Sequence, residues 1–112
     1  MPVAQSDLAL ALLDAFPVSG HTSVITRRHV ASYPDCTRAE QRAIWELVGD
    51  VCARIEAERH PNGFDISIAA GGAATETVAH CHVDVIPRFQ GDPHGRPGGI
   101  RKTLPPKDHW DS

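Results

Sequence analysis

The chain has 112 residues, 41% of them hydrophobic, and a formal net charge of −3, which suits one compact domain with a single core and offers no basic footprint for nucleic acid. No apolar run approaches the ~20 residues that cross a bilayer, so no membrane association is expected. Three cysteines without CxxC spacing fit a reducing compartment better than a disulfide framework, and with no signal-peptide pattern at the N-terminus a cytoplasmic location is expected.

Residues 8–16 form an apolar run that reads as a strand, with helix left open by its Ala and Leu content. Pro17-Val18-Ser19-Gly20 is a turn, and the β-branched run 21–26 is a second strand. Thr37, with Glu40 three residues on, makes a capping box. Ile44, Leu47, Val48, Val51 and Ile55 then repeat at helical spacing and predict a helix to about Arg59. Pro61-Asn62-Gly63 ends it. Residues 64–69 alternate as a half-buried strand, 71–74 form a loop, and 78–86 form another strand. Residues 89–112 are dense in Gly and Pro and predict an irregular tail. The order gives one α+β domain over residues 1–112, with an antiparallel sheet and one main helix packed on a face.

The chemistry concentrates in His80-Cys81-His82-Val83-Asp84-Val85-Ile86-Pro87-Arg88. Alternation along a strand places His80, His82 and Asp84 on one face and sends Cys81, Val83 and Val85 into the core. Imidazole at His82 suits nucleophilic attack, because its neutral form carries a nitrogen lone pair near neutral pH. Two imidazoles and a carboxylate are also ligand types for Fe(II), Zn or Mn. Alternate side chains lie roughly 6.5 Å apart along a strand, a poor claw for one ion, so no metal ligands are assigned.

This run resembles the signature of the histidine triad (HIT) family, His-x-His-x-His followed by apolar residues and often Pro-Arg, with Asp84 at the third position. Other blocks agree. Gly20-His21-Thr22 through Arg28-His29-Val30, Asp35-Cys36-Thr37, Phe64-Asp65-Ile66-Ser67-Ile68, Ala73-Ala74-Thr75-Glu76-Thr77-Val78, Gly98-Gly99-Ile100-Arg101 and the stretch 105–110 resemble family segments in the same order. The resemblance implies a five-stranded antiparallel α+β fold, a homodimer, and a nucleotide hydrolase or nucleotidyl transferase. His82 would attack the α-phosphorus and form a covalent nucleotidyl adduct, splitting one displacement into two. A backbone carbonyl near the first His would hold the other nitrogen of that ring. His80 and His21 would support the site, Thr77 and Glu76 would meet phosphate, and Asp14 would hold ribose hydroxyls.

Asp84 and Glu76 stand where the family pattern has His and Gln. An ionised carboxylate only accepts hydrogen bonds, and at ~4 Å from a phosphate charge it costs about 4 kcal/mol at an effective dielectric of 20. A divalent cation bridging acid to phosphate, protonation of the acids, or an unusual substrate would relieve that repulsion. The alternative is a family-shaped protein without hydrolase activity, used to bind nucleotide or for acid/base or metal-dependent chemistry by His80, His82, Asp84 and Glu76.

Overall fold

Thr37 starts the helix as its spacing to Glu40 requires. Its hydroxyl accepts the Glu40 N–H at 3.0 Å, and the Glu40 carboxylate accepts the Thr37 N–H at 2.8 Å. The structure, a computed structural model, describes residues 2–13, 20–68 and 80–92. Within these, β1 (Pro2–Gln5), β2 (Ala9–Leu13) and β3 (Thr22–Thr26) precede helix α1 (Arg38–Arg59), and β4 (Gly63–Ile68) and β5 (His82–Arg88) follow it. A short 3-10 helix, Tyr33–Asp35, leads into α1.

The five strands form one antiparallel sheet in the order β1-β2-β3-β5-β4. The α+β architecture is therefore the expected one. β1 was not legible as a strand, because four residues beginning at a proline carry too little alternation to register. β2 and β3 match the predicted strands, with residues 14–16 outside the described ones. β5 starts at His82 rather than near 78, so His80 lies in a bend just before the strand. β5 also runs through Pro87, which is tolerated because the ladder to β3 has already ended at Val85 and no β3 partner loses an N–H bond.

One face of the sheet packs under α1. Ala9 and Ala11 of β2, Val24 of β3, and Val83 and Val85 of β5 meet Ile44, Leu47, Val48, Val51 and Ile55 of the helix, all buried. Each fully buried Val, Leu or Ile contributes about 1.5–3 kcal/mol. Small alanines on β2 let the helix approach closely. Among the described elements β4 has its substantial contacts with β5 alone, so Ile66 and Ile68 remain 45% and 37% exposed. Their partners across the ladder are the core residues Val85 and Val83, which places them on the helix-bearing side. No helix among the described residues is long and apolar enough to cross a membrane.

Two local devices seat the loops. Gly20 adopts a φ of 84°, and a Cβ there would lie 3.0 Å from the Pro87 ring and 3.3 Å from the Arg59 side chain. Only glycine satisfies both demands, and His21 follows it directly. Arg28, just past β3, donates to both carboxylate oxygens of Glu40, at 2.8 and 3.0 Å. That bidentate pair and the Thr37 cap hold the Glu40 carboxyl down to about 2 from its usual 4.5.

A folded-state value below the unfolded one means stabilisation that is present above about pH 4.5 and is lost as pH falls toward 2. Glu40→Gln should therefore lower unfolding stability by about 2 kcal/mol at neutral pH. It should also flatten the acid limb of a pH series of urea melts between pH 4.5 and 2, relative to the unsubstituted protein.

Candidate active site

The face of the sheet away from α1 carries the polar run. Cross-strand pairing puts Ser23 of β3 opposite Asp84 of β5, and Ile25 opposite His82. On the next strand over, Leu12 sits opposite Ser23. These residues, with His21 and His80, line a pocket of about 390 Å³. The predicted residues His21, His80, His82 and Asp84 are thus brought together. Cys81, Val83 and Val85 point the other way and are fully buried. The other expected site residues, Asp14, Glu76 and Thr77, lie outside the described residues.

Both triad histidines are oriented by backbone. His82 Nδ1 lies 3.0 Å from the His80 carbonyl oxygen. A carbonyl only accepts, so Nδ1 carries the proton and Nε2 keeps the lone pair of the neutral ring. His80 Nε2 lies 2.9 Å from the Thr26 carbonyl, which by the same argument fixes the opposite tautomer for that ring. The Thr26 hydroxyl donates to the Arg28 carbonyl at 2.7 Å. His29, exposed on the surface, packs edge-on against His80 with ring centroids 5.2 Å apart.

Asp84 joins the remaining groups. Its Oδ1 accepts from the Ser23 hydroxyl at 2.9 Å and lies 3.3 Å from His21 Nε2. Its Oδ2 lies 3.6 Å from His82 Nε2, too long for a direct hydrogen bond but within charge-interaction range. A cationic His82 ring at that distance would be attracted by about 4 kcal/mol at an effective dielectric of 20, less in proportion as water reaches this half-buried pair. The Ser23 hydroxyl and the nearby His21 ring also offset part of the carboxylate's charge. Among the described residues, no three His, Cys, Asp or Glu side chains are disposed to hold a metal ion.

Ser23 was missed at the level of sequence. The signal was available: His21 just before β3 alternates with Ser23 and Ile25 within it, and the residue two beyond His21 shares its face. What could not be read was the β3–β5 register, which puts the hydroxyl directly across from the carboxylate.

An α+β domain whose sheet face opposite the helix presents a His-x-His-x-Asp run, with the central ring held by the carbonyl of the first His, is a histidine-triad type of domain. Comparison with known proteins agrees: the HIT domain model matches residues 2–91, and the chain belongs to that family. It is 30% identical over 89 residues to an uncharacterised 16.1 kDa HIT-like protein of Mycoplasma pneumoniae, covering 79% of this chain and 62% of the relative. It is 32% identical over 92 residues to the AP-4-A phosphorylase of Mycobacterium tuberculosis, covering 80% of this chain and 47% of that protein. The chain therefore spans less than two thirds of the length of either relative. A crystal structure of a HIT family protein from Bacillus anthracis superposes with a TM-score of 0.74 at 33% identity, covering 81% of this chain and 66% of that one.

Ser23→Ala should cost about 1 kcal/mol of stability by removing a hydrogen bond to a half-buried carboxylate. Thermal unfolding measures that loss. Imidazole nitrogen NMR should show His21 and His82 shifting together, because both rings face the carboxylate that Ser23 restrains.

Proposed function

We propose that this domain is a nucleotide hydrolase or nucleotidyl transferase acting at an α-phosphate, with His82 as the nucleophile. The observation that carries the reading is the His82 ring, whose Nδ1 is tied to the His80 carbonyl at 3.0 Å while its Nε2 side lies in a pocket open to a ligand. In the first step the Nε2 lone pair forms a bond to phosphorus as the leaving group departs on the opposite side. The ring becomes a cation bearing the nucleotidyl group, with its Nδ1–H still donating to the His80 carbonyl. In the second step water attacks phosphorus, the P–N bond breaks and restores the neutral ring, and the proton lost by the water passes to solvent, which also supplies the proton taken up by the departed leaving group.

Asp84 stabilises the cation formed in between, from 3.6 Å. It also repels the incoming phosphate. Its net effect favours catalysis because Ser23 and His21 at Oδ1 temper the repulsion felt on binding, while the attraction from Oδ2 exists only as the ring becomes cationic on the way to the adduct. Thr77 and Glu76 contact the phosphates and Asp14 the ribose. The similarity to a protein named AP-4-A phosphorylase supports a dinucleoside polyphosphate or a related nucleoside phosphate as substrate. The chain's thiols fit a cytoplasmic site of action.

The second reading, a nucleotide-binding module without turnover, is favoured by that same carboxylate, which places negative charge next to the nucleophile. Incubation with an adenine nucleotide bearing a good leaving group separates the two. Hydrolytic function predicts a nucleotidyl mass increment mapped to His82, and a turnover loss of roughly 10³-fold or more in His82→Ala. Binding without any increment would favour the module. Asp84→Asn should lower kcat roughly tenfold or more while also lowering KM, because one charge contributes to both steps in opposite senses.

The active unit is a homodimer. Its support is the edge strand β4, where Ile66 and Ile68 extend the core face beyond the reach of α1. A second copy would cover this apolar edge. Replacing both isoleucines by Asp should turn a dimeric species into a monomer in sedimentation velocity, with the far-UV circular dichroism retained.

A further inference from the structure

Two thiols lie against each other on the covered side of the sheet, outside the pocket yet adjoining it in the chain. Cys36 closes the 3-10 helix and directly precedes the α1 cap, and Cys81 stands between His80 and His82. Their sulfurs are 3.8 Å apart, and both residues are buried, at 7% and 0% exposure. The Cys81 N–H donates to the Val30 carbonyl at 2.6 Å, so this stretch already leans on the segment that leads into the 3-10 helix. A disulfide needs a sulfur separation of about 2.05 Å. Closure would therefore draw the two sulfurs together by roughly 1.8 Å, and whatever side-chain rotation does not supply falls on the backbone at residues 36 and 81. The peptide joining His80 to Cys81 carries the carbonyl that holds His82 Nδ1.

We propose that Cys36 and Cys81 are a reversible redox pair, closed by a small-molecule disulfide, and that closure displaces the carbonyl that orients His82. Cys36, the less buried of the two, attacks the small disulfide as its thiolate. One S–S bond forms, the reagent's own S–S bond breaks, and one small thiol leaves. Cys81 then attacks the Cys36 sulfur, forming the 36–81 bond and releasing the second small thiol. Two protein thiols are oxidised, one reagent disulfide is reduced, and both protons pass to the departing thiols. Burial pushes the Cys36 thiol up from its ordinary range, so the first attack is slow and speeds up with pH. The resolving attack has its partner already in contact. The pairing does not depend on the hydrolase reading, because its readouts use the protein without nucleotide.

The test equilibrates the full chain, with and without Cys52→Ala, in buffers of increasing glutathione disulfide to glutathione ratio, followed by acid quenching and alkylation. The expected product has lost two hydrogens in mass, yields a cross-linked peptide joining 36 to 81, and reverts with dithiothreitol. Imidazole nitrogen spectra of the same samples should show the His82 signals moving on oxidation and returning on reduction. A stable glutathione adduct with no 36–81 bond, or no oxidation at any ratio, would overturn the pair. A 36–81 bond with unmoved His82 signals would overturn its coupling to the site.

Discussion

The register between β3 and β5 is the constraint on which the rest depends. Val24 faces Val83, Ser23 faces Asp84 and Ile25 faces His82. Because side chains alternate, a slip of one residue along β5 would put His82 and Asp84 into the core and Val83 and Val85 into the pocket. Buried, unpaired polar and charged groups cost several kcal/mol each, so the sequence tolerates one register. The parity that packs the helix against the sheet is the same parity that assembles the chemistry. Core and site are therefore two faces of a single choice.

The ends of that ladder are held by different means. At the β3 end, Arg28 reaches the buried carboxylate of Glu40, which is also the third residue of the helix and half of its cap. One side chain thus ties the helix start to the strand exit and sets the path of the connecting segment that carries Cys36. At the opposite end, Gly20 lets the chain pass close to Pro87 and Arg59 and delivers His21 beside Asp84. On the outer flank, Arg88 of β5 pairs with Asp65 of β4 at 2.6 Å, and the Asn62 side chain accepts the Gln90 N–H. These ties are exposed, and such pairs contribute little to stability.

Much of this was legible in the sequence because it rests on local rules. The capping box at Thr37 and Glu40, the helical stripe ending at Ile55, and the alternation through Cys81, Val83 and Val85 are short-range patterns, and each appears in the structure. The carbonyl clamp on His82 was expected from the family resemblance, and His80 supplies it. What escaped was non-local or too short. β1 has only four residues and gains its identity from β2. The start of β5 at His82 depends on where β3 ends. Ser23 is an ordinary strand serine until pairing places it across from Asp84. His60 closes α1 in a left-handed conformation at φ 51°, a role its residue type does not announce, although the following Pro61-Asn62-Gly63 marks the turn.

The pocket's floor is the sheet itself, and α1 covers the reverse side. Leu12 and Ile25 line that floor, yet their immediate chain neighbours Ala11 and Val24 belong to the packed interior. Each strand therefore interleaves two independent inventories, one answering to stability and the other to ligand. Evolution can redraw the contour presented to a substrate at every second position without disturbing the layer beneath. A lineage built on such a scaffold can diversify its specificity while its architecture stays still.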